Sequence, residues 1–343
     1  MSTTTVAPPT IAHTVVGPVR LTGARPTNEL PQWLIDEAKI EEKQSFDPKK
    51  HMNYQPPSKI YTMKEIGLEG QGISPNAVTA PFQLFNEEAI KQMRAEIFSK
   101  PVLDECQYTS AFVKNTIRGM GPARAPFISD AWRSPEVLSK ISEVAGIDLI
   151  PAMNYEIAAI NISVNDQTTT VVNNNTKSED EDLPAFAWHW DSYPFVCVTM
   201  LSDCTGMVGG ETALKTASGE IMKVRGPAMG TAVVMQGRYI EHQALKAFGG
   251  KERISMITSF RAKSPLVKDD CVLTGVRPIS NVLELYREWS EYRLKVIEER
   301  IRAELENERQ KQLGQRPFSI SEMRTFLIHQ REYLDATIAE LIE

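Results

Sequence analysis

The feature that most constrains the fold is a series of short, strand-like segments between residues 153 and 261. These segments are rich in Ile, Val, Ala and Thr, and glycine-containing turns such as Gly249-Gly250 separate them. Several short strands with frequent turns are typical of an antiparallel sandwich or barrel. The segments with strand character are 153–164, 185–191, 195–201, 211–215, 221–224, 231–236, 238–245 and 252–261.

Helical patterns precede this strand-rich region. Asn86 and Ser134 are good N-caps, and each is followed by acidic residues and a stripe of apolar side chains. This order predicts helices that begin at these caps and end near Lys100 and Gly146. A shorter helical pattern covers residues 31–46.

A second helical region follows the strands and covers residues 278–343. Its first part predicts one long helix that ends at Gly314. Ser319-x-x-Glu322 is a capping box that opens a last helix. The expected fold class is therefore mainly β with flanking helices (α+β), with N-terminal helices and a C-terminal helical extension.

The domain organisation follows from these patterns. Residues 1–30 are rich in Thr, Pro and Val and predict an extended N-terminal arm, and residues 31–270 form one β-rich domain. Residues 172–183 are polar and acidic, which predicts a mobile, exposed loop between two strands. The extension 278–343 either packs on the barrel or forms a homodimer interface, and the sequence leaves both open.

Composition narrows the class of protein. The chain has 343 residues and a formal net charge of -6, which argues against a nucleic-acid surface. No apolar run approaches the length needed to span a membrane, and the first residues lack the pattern of a secretory signal. The four cysteines are scattered without a Cys-x-x-Cys pair, so we expect reduced thiols and a cytoplasmic location.

Two candidate metal ligands, His189 and Asp191, are two residues apart among large apolar side chains. In a strand both would point to the same face, while Trp188 and Trp190 would point to the other face and pack in the core. A lone buried histidine needs no metal, but an ionised carboxylate in such surroundings is costly unless a cation compensates it. The pair therefore favours a metal site.

A third ligand must come from the remaining histidines, and the chain has five in all. His13 lies in the N-terminal arm, His51 in a polar, proline-flanked region, and His329 in the C-terminal helical region. His242 is the one in a strand context, because it follows the apolar run 232–235. Two imidazoles and one carboxylate bind one face of a ferrous ion and leave other positions open.

Arg253 follows His242 in the last strand segment. If Gly249-Gly250 closes a hairpin, Arg253 falls nearly opposite His242 on a paired strand. A guanidinium with the Ser255 hydroxyl two residues on could bind a dicarboxylic co-substrate, although an arginine on a barrel rim can also form an ordinary salt bridge. One face of this strand carries Arg253, Ser255, Ile257 and Ser259, and the other carries Ile254, Met256, Thr258 and Phe260.

The order His189-x-Asp191, His242, Arg253-x-Ser255 resembles the Fe(II)- and 2-oxoglutarate-dependent dioxygenases. The resemblance covers about residues 150–262 and implies a double-stranded β-helix (jelly-roll) core. It implies that the first three residues bind Fe(II), that Arg253 and Ser255 bind the distal carboxylate of 2-oxoglutarate, and that O2 is the second co-substrate. It also places Asn161 near the keto-acid end of 2-oxoglutarate.

The arrangement of motifs and predicted elements along the whole chain is similar to that of fungal secondary-metabolism members of that family. Some of these oxidise amino acids, and one forms an aziridine from L-valine in tryptoquialanine-type alkaloid pathways. The resemblance therefore implies oxidation of an unactivated C–H bond of a small molecule (hydroxylation, desaturation or oxidative cyclisation), with an amino acid such as L-valine as candidate substrate.

The substrate-binding residues are less constrained than the metal site. Segment 114–133 carries Arg118, Arg124 and Arg133 among Gly and Pro residues, in the kind of loop that shapes a barrel mouth. Arg118 or Arg124 could bind a substrate carboxylate, or they could be solvated surface residues. Two other functions remain open: a cupin-type, non-redox metalloenzyme (isomerase or hydrolase) and a catalytically silent jelly-roll binding protein.

Overall fold

The computed structural model describes residues 26, 29–109, 115–164, 187–224 and 228–343. The acidic segment 172–183 lies outside the described residues, as does nearly all of the predicted arm 1–30. Within the described part, short helices come first, most strands follow, and two long helices end the chain. In that part no helix is long and apolar enough to cross a membrane.

The strands all pair antiparallel within the described residues, as the sequence predicts. They are β1 (Ile60–Thr62), β2 (Asn76–Thr79), β3 (Phe82–Gln83), β4 (Gln107–Tyr108), β5 (Thr116–Ile117), β6 (Leu149–Pro151), β7 (Ala159–Val164), β8 (Phe195–Met200), β9 (Val208–Gly209), β10 (Thr212–Lys215), β11 (Ile221–Val224), β12 (Thr231–Met235), β13 (His242–Ala244), β14 (Ala247–Phe248) and β15 (Glu252–Ala262).

Two main sheets face each other. The larger has ten strands in the order β1-β2-β12-β8-β15-β7-β5-β4, with β3 beside β12 and β6 beside β15. The smaller has the order β11-β10-β13, and an isolated bridge between His189 and His242 adds the segment around His189 to its β13 edge. Val196 and Val233 from the larger sheet pack with Leu214 from the smaller one, so a core lies between the sheets.

The chain alternates between these sheets. Strands β7, β8, β12 and β15 belong to the larger sheet, and the intervening elements, namely the His189 segment, β10 with β11, and β13, belong to the smaller one. The predicted hairpin between segments 238–245 and 252–261 is wrong for this reason. β13 pairs with β10, the next strand β14 pairs with β9, and β15 enters the opposite sheet between β7 and β8.

Nine α-helices occur in the described residues: α1 (Gln32–Glu37), α2 (Pro48–His51), α3 (Glu87–Ile97), α4 (Lys100–Cys106), α5 (Gly121–Arg124), α6 (Pro126–Arg133), α7 (Pro135–Ala145), α8 (Val282–Leu313) and α9 (Ile320–Ala339). Three predicted caps are confirmed, because the side chains of Asn86, Ser134 and Ser319 accept hydrogen bonds from the first turns of α3, α7 and α9. The helical pattern over 31–46 yields only the short α1, since the polar, charged residues that follow it carry no apolar stripe to pack.

The C-terminal extension packs against the β-rich domain through the first half of α8. Trp289 and Tyr292 are buried with Tyr193 and Tyr155, and Tyr333 of α9 joins the same cluster. The second half of α8 and much of α9 expose apolar residues. A homodimer formed through these helices stays a prediction. The exposed apolar side chains include Ile301, Leu305, Leu313, Ile320, Leu327 and Ile338.

Candidate metal centre and cavity

Three possible metal ligands converge between the two sheets. The ligand atoms of His189, Asp191 and His242 all lie within 4.8 Å of one another. Nε2 of His189 is 3.7 Å from Oδ1 of Asp191, and Nε2 of His242 is 3.5 Å from Oδ2. This spacing suits one cation held by two imidazoles and one carboxylate.

The segment around His189 is not the regular strand expected from the sequence. Residues 185 and 186 lie outside the described part, and residues 187–191 make only one bridge. The His189 N–H donates to the His242 carbonyl at 2.9 Å, and the His242 N–H donates back at 3.0 Å. The Asp191 N–H donates to the Gly237 carbonyl at 2.9 Å. These bonds hold the segment so that both side chains face β13.

The hydrogen bonds of both imidazoles set their tautomers. Nδ1 of His189 lies 2.8 Å from the Ala187 carbonyl, and Nδ1 of His242 lies 2.9 Å from the Ile240 carbonyl. A carbonyl only accepts, so each Nδ1 carries a proton, and the neutral form of each ring would keep an Nε2 lone pair for a metal. Burial lowers the pKa of His242, with Asp191 opposing and His189 adding to that shift, which favours the neutral ring.

The environment of the Asp191 carboxylate is the strongest sign that these side chains suit a cation. Its Oδ2 is buried and has no hydrogen-bond partner among the described residues. A Cβ at Gly237 would lie only 1.7 Å from that oxygen, so glycine is what allows the carboxylate to sit there. A bare, buried carboxylate oxygen is unfavourable without a cation. The three side chains therefore fit a divalent metal ion.

A cavity of about 440 Å³ lies between the sheets at this centre. The three possible ligands line it, and so do three other residues predicted from the sequence, Arg253, Ser255 and Asn161. Ser255 and Asn161 are directly paired across β15 and β7. The tertiary structure thus brings the six residues predicted for iron and 2-oxoglutarate to one cavity, although β13 and β15 are not neighbours.

The alternation predicted along β15 is present. Arg253, Ser255, Ile257 and Ser259 line the cavity, whereas Ile254, Met256 and Phe260 are buried in the core on the other side of the sheet.

Arg253 has no carboxylate within salt-bridge distance among the described residues. Its Nη2 makes one long hydrogen bond, 3.5 Å, to the Gly210 carbonyl. Burial lowers the pKa of Arg253 below its ordinary value, and Cys204 acts in the opposite direction. A guanidinium remains protonated even so. A partly buried cation with no carboxylate beside it among the described residues makes this end of the cavity suited to an anionic ligand.

Trp188 and Trp190 do not pack in the core as predicted. Both are partly exposed and line the cavity, and Lys215 Nζ lies 4.8 Å from the centre of the Trp188 ring. Strand alternation fails here because one bridge, rather than a continuous ladder, holds the segment. These aromatic rings form part of the cavity wall.

The two arginines predicted for substrate binding have different positions. Arg118 lines the cavity and pairs with Glu156, which the sequence did not single out. Arg124 is not among the residues that line the cavity, and its Nε donates to Glu105 Oε2 at 2.8 Å at an exposed position. Glu156, Thr116 and Tyr193 also line the cavity and carry no sequence motif that would have revealed them.

No protein-family model matches the sequence, and no curated protein matches it significantly. Solved structures that overlap with it include a 2OG-Fe(II) oxygenase-family oxidoreductase from Burkholderia pseudomallei, at 14% identity and a TM-score of 0.31 over 43% of this chain and 65% of that one. A prolyl-4-hydroxylase from Pseudomonas putida overlaps at 16% identity and a TM-score of 0.32, over 52% and 88% of the two chains.

HygX from Streptomyces hygroscopicus, with nickel and 2-oxoglutarate bound, overlaps at 12% identity and a TM-score of 0.31 over 52% of this chain and 80% of that one. This chain therefore spans slightly less than two thirds of the Burkholderia protein and more of the other two. Likenesses this distant assign no activity, which must be argued from the residues of this chain.

Proposed function

We propose that this protein is an Fe(II)- and 2-oxoglutarate-dependent oxygenase that oxidises an unactivated C–H bond of a small molecule. The observation that carries the proposal is the buried Oδ2 of Asp191, which has no hydrogen-bond partner among the described residues, beside two imidazoles whose Nε2 atoms lie 3.7 and 3.5 Å from the Asp191 carboxylate. Arg253 adds a partly buried cation without a carboxylate partner among the described residues, in the wall of the same cavity.

The residues of this chain would bind iron and 2-oxoglutarate, and its two sheets would enclose the reacting groups. His189, Asp191 and His242 would hold Fe(II), and Arg253 with Ser255 would pair with the distal carboxylate of 2-oxoglutarate. Asn161, across from Ser255, would contact the keto-acid end. When bound, iron, 2-oxoglutarate and O2 would supply the oxidising power, with succinate and CO2 as co-products. The two facing sheets would keep water away from the reacting bond.

We also propose that the two facing sheets form a double-stranded β-helix. The alternation of β7, β8, β12 and β15 with elements of the smaller sheet supports this architecture. It would put the ligands from the smaller sheet opposite Arg253 on the larger one.

The substrate class and pathway come from the sequence resemblance alone. On that ground we propose a role in fungal secondary metabolism, with an amino acid such as L-valine as the candidate substrate. The outcome at carbon would be hydroxylation, desaturation or ring closure.

The proposal is tested on the full chain purified without oxygen and loaded with Fe(II). Addition of 2-oxoglutarate should produce a weak visible charge-transfer band, and a panel of amino acids and alkaloid precursors should include one that stimulates succinate release. Binding of zinc or manganese with no succinate from any substrate would instead support the cupin-type metalloenzyme. Ligand binding that is independent of metal would support the silent binding protein.

A further inference from the structure

A second polar cluster lines the cavity, in addition to the residues proposed to hold iron and 2-oxoglutarate. It consists of Thr116, Arg118, Glu156 and Tyr193. Arg118 is 5% exposed and Glu156 is 1% exposed, and Arg118 Nη2 donates to Glu156 Oε1 at 2.5 Å. An oppositely charged pair is thus buried in a cavity wall.

This cluster has unused hydrogen-bonding capacity. The Arg118 Nε and the Thr116 Oγ1 are buried and have no hydrogen-bond partner among the described residues. Unpaired buried polar groups are unfavourable, and a polar ligand in the cavity would supply partners. A pair that served only to hold the fold together would gain nothing from a position in the wall of this cavity.

The charges of the pair restrict which ligand fits. A simple carboxylate next to Arg118 would also lie near the Glu156 carboxylate and be repelled by it. A simple amine next to Glu156 would be repelled by Arg118 in the same way. A ligand with a carboxylate and an ammonium group on one carbon can pair with both residues and add no net charge.

We propose that Arg118 and Glu156 bind the zwitterionic end of a free α-amino acid, Arg118 its carboxylate and Glu156 its ammonium group. The inference rests on the proposed function, because it specifies how that site holds its substrate. Val196, Val198 and Ile257 line the same cavity and suit an aliphatic side chain. Peptides would bind poorly because their terminal charges are not on one carbon, and amino-acid amides would bind poorly because they lack the carboxylate.

The test is calorimetric binding of amino acids to the full, metal-loaded chain without oxygen. The probes are L-valine, L-leucine and L-norvaline, each compared with its N-acetyl derivative and its carboxamide. We expect at least one free amino acid to bind, and each blocked form to bind about 10- to 100-fold more weakly, as the loss of a charged hydrogen bond predicts. Equal affinity for free and blocked forms would overturn the proposal. The proposal would also be overturned if none of the free amino acids binds.

The variants Arg118→Gln and Glu156→Gln should each weaken binding of the free amino acid about 10- to 100-fold, raising KM more than they lower kcat. Arg124→Gln is the matched control, since Arg124 pairs with Glu105 outside the cavity. The double variant Arg118→Gln/Glu156→Gln removes both charges together and keeps the test possible if a single variant is unstable. It should lose the preference for free over blocked forms, and retention of that preference would refute the assignment.

These results separate the inference from the proposed function. Succinate release stimulated only by a substrate without a zwitterion would refute the inference and leave the oxygenase intact. Binding of free amino acids that depends on Arg118, without succinate from any of them, would retain the inference and refute the oxygenase.

Discussion

The main chains of His189 and His242 hydrogen-bond to each other in both directions, at 2.9 and 3.0 Å. This single bridge brings the two imidazole centroids to within 4.4 Å, although the residues belong to separate segments. Asp191 is held next to them by its own bond to Gly237. The candidate metal centre thus depends on three backbone hydrogen bonds, and its properties can be tested residue by residue.

Asp191→Ala should abolish iron retention and turnover, because it removes the one anionic ligand. The metal-free variant should unfold at least as late in urea as the metal-free wild type, since it no longer buries a bare carboxylate oxygen, a group that costs about 1–3 kcal/mol. Metal content after anaerobic reconstitution and urea unfolding measure the two effects. Asp203→Ala, at an exposed turn, is the control. Full activity in Asp191→Ala would exclude the metal assignment.

Gly237→Ala should lower metal affinity and leave the fold intact. The added Cβ would lie 1.7 Å from Asp191 Oδ2, so the carboxylate must move. A displaced ligand weakens the centre, and we expect about a 10- to 100-fold loss in metal affinity, as for residues that orient metal ligands. Competition with a chelator measures this loss. Gly314→Ala, after α8 and with nothing closer than 3.3 Å, should bind metal normally.

Arg253→Gln should weaken 2-oxoglutarate binding without affecting iron content. Loss of a charged, two-point contact predicts a rise in the KM for 2-oxoglutarate of about 10- to 100-fold. Arg253→Lys should fall between wild type and Arg253→Gln, because it keeps the charge and loses the planar fork. Arg261→Gln, on the same strand but bonded to Ala152, is the control. An unchanged KM in Arg253→Gln would remove this residue from the co-substrate site.

Acid should destabilise the metal-free chain through His242. Burial lowers its pKa below the ordinary 6.5 in the folded state, so below that pH the unfolded chain binds a proton that the folded chain resists. This contribution to stability is complete above about pH 6.5 and is lost as pH falls, by at most about 1.4 kcal/mol per pH unit.

Urea unfolding of wild type and His242→Gln, from about pH 7.5 to about pH 5.5, measures this effect. His51 is also buried and has a lowered pKa, so it contributes to the pH dependence of both proteins. The effect of His242 is therefore the difference between the curves of unfolding free energy against pH for wild type and His242→Gln. The unfolding free energy of His242→Gln should fall less steeply with decreasing pH than that of the wild type. His329→Gln, at an exposed position on α9, should have the slope of the wild type, and equal slopes in all three proteins would contradict the prediction.

Local signals in the sequence predicted the helix caps and the two faces of β15. Asn86, Ser134 and Ser319 cap their helices because a cap needs only a side-chain oxygen and the next turn. The cavity-facing row from Arg253 to Ser259 follows from the two-residue period of a strand. Both depend on neighbours in the chain, so one sequence suffices to find them.

Strand pairing was predicted wrongly where it depended on distant residues. The Gly249-Gly250 turn suggested a hairpin, but β13 pairs with β10 and β15 pairs with β7 and β8. Trp188 and Trp190 were expected in the core, yet a single bridge leaves both facing the cavity. Glu156, the partner of Arg118, had no local signal at all.

The sequence by itself determined which residue types could bind a metal and an anion: two histidines, an aspartate and an arginine with a nearby serine. Only the tertiary structure decided that the first three approach from one sheet and Arg253 from the other, with the Arg118–Glu156 pair in the same cavity. The physical reason is the distance along the chain over which each effect acts. Side-chain chemistry and strand period act over a few residues, whereas sheet membership depends on the apolar packing of segments far apart in the chain.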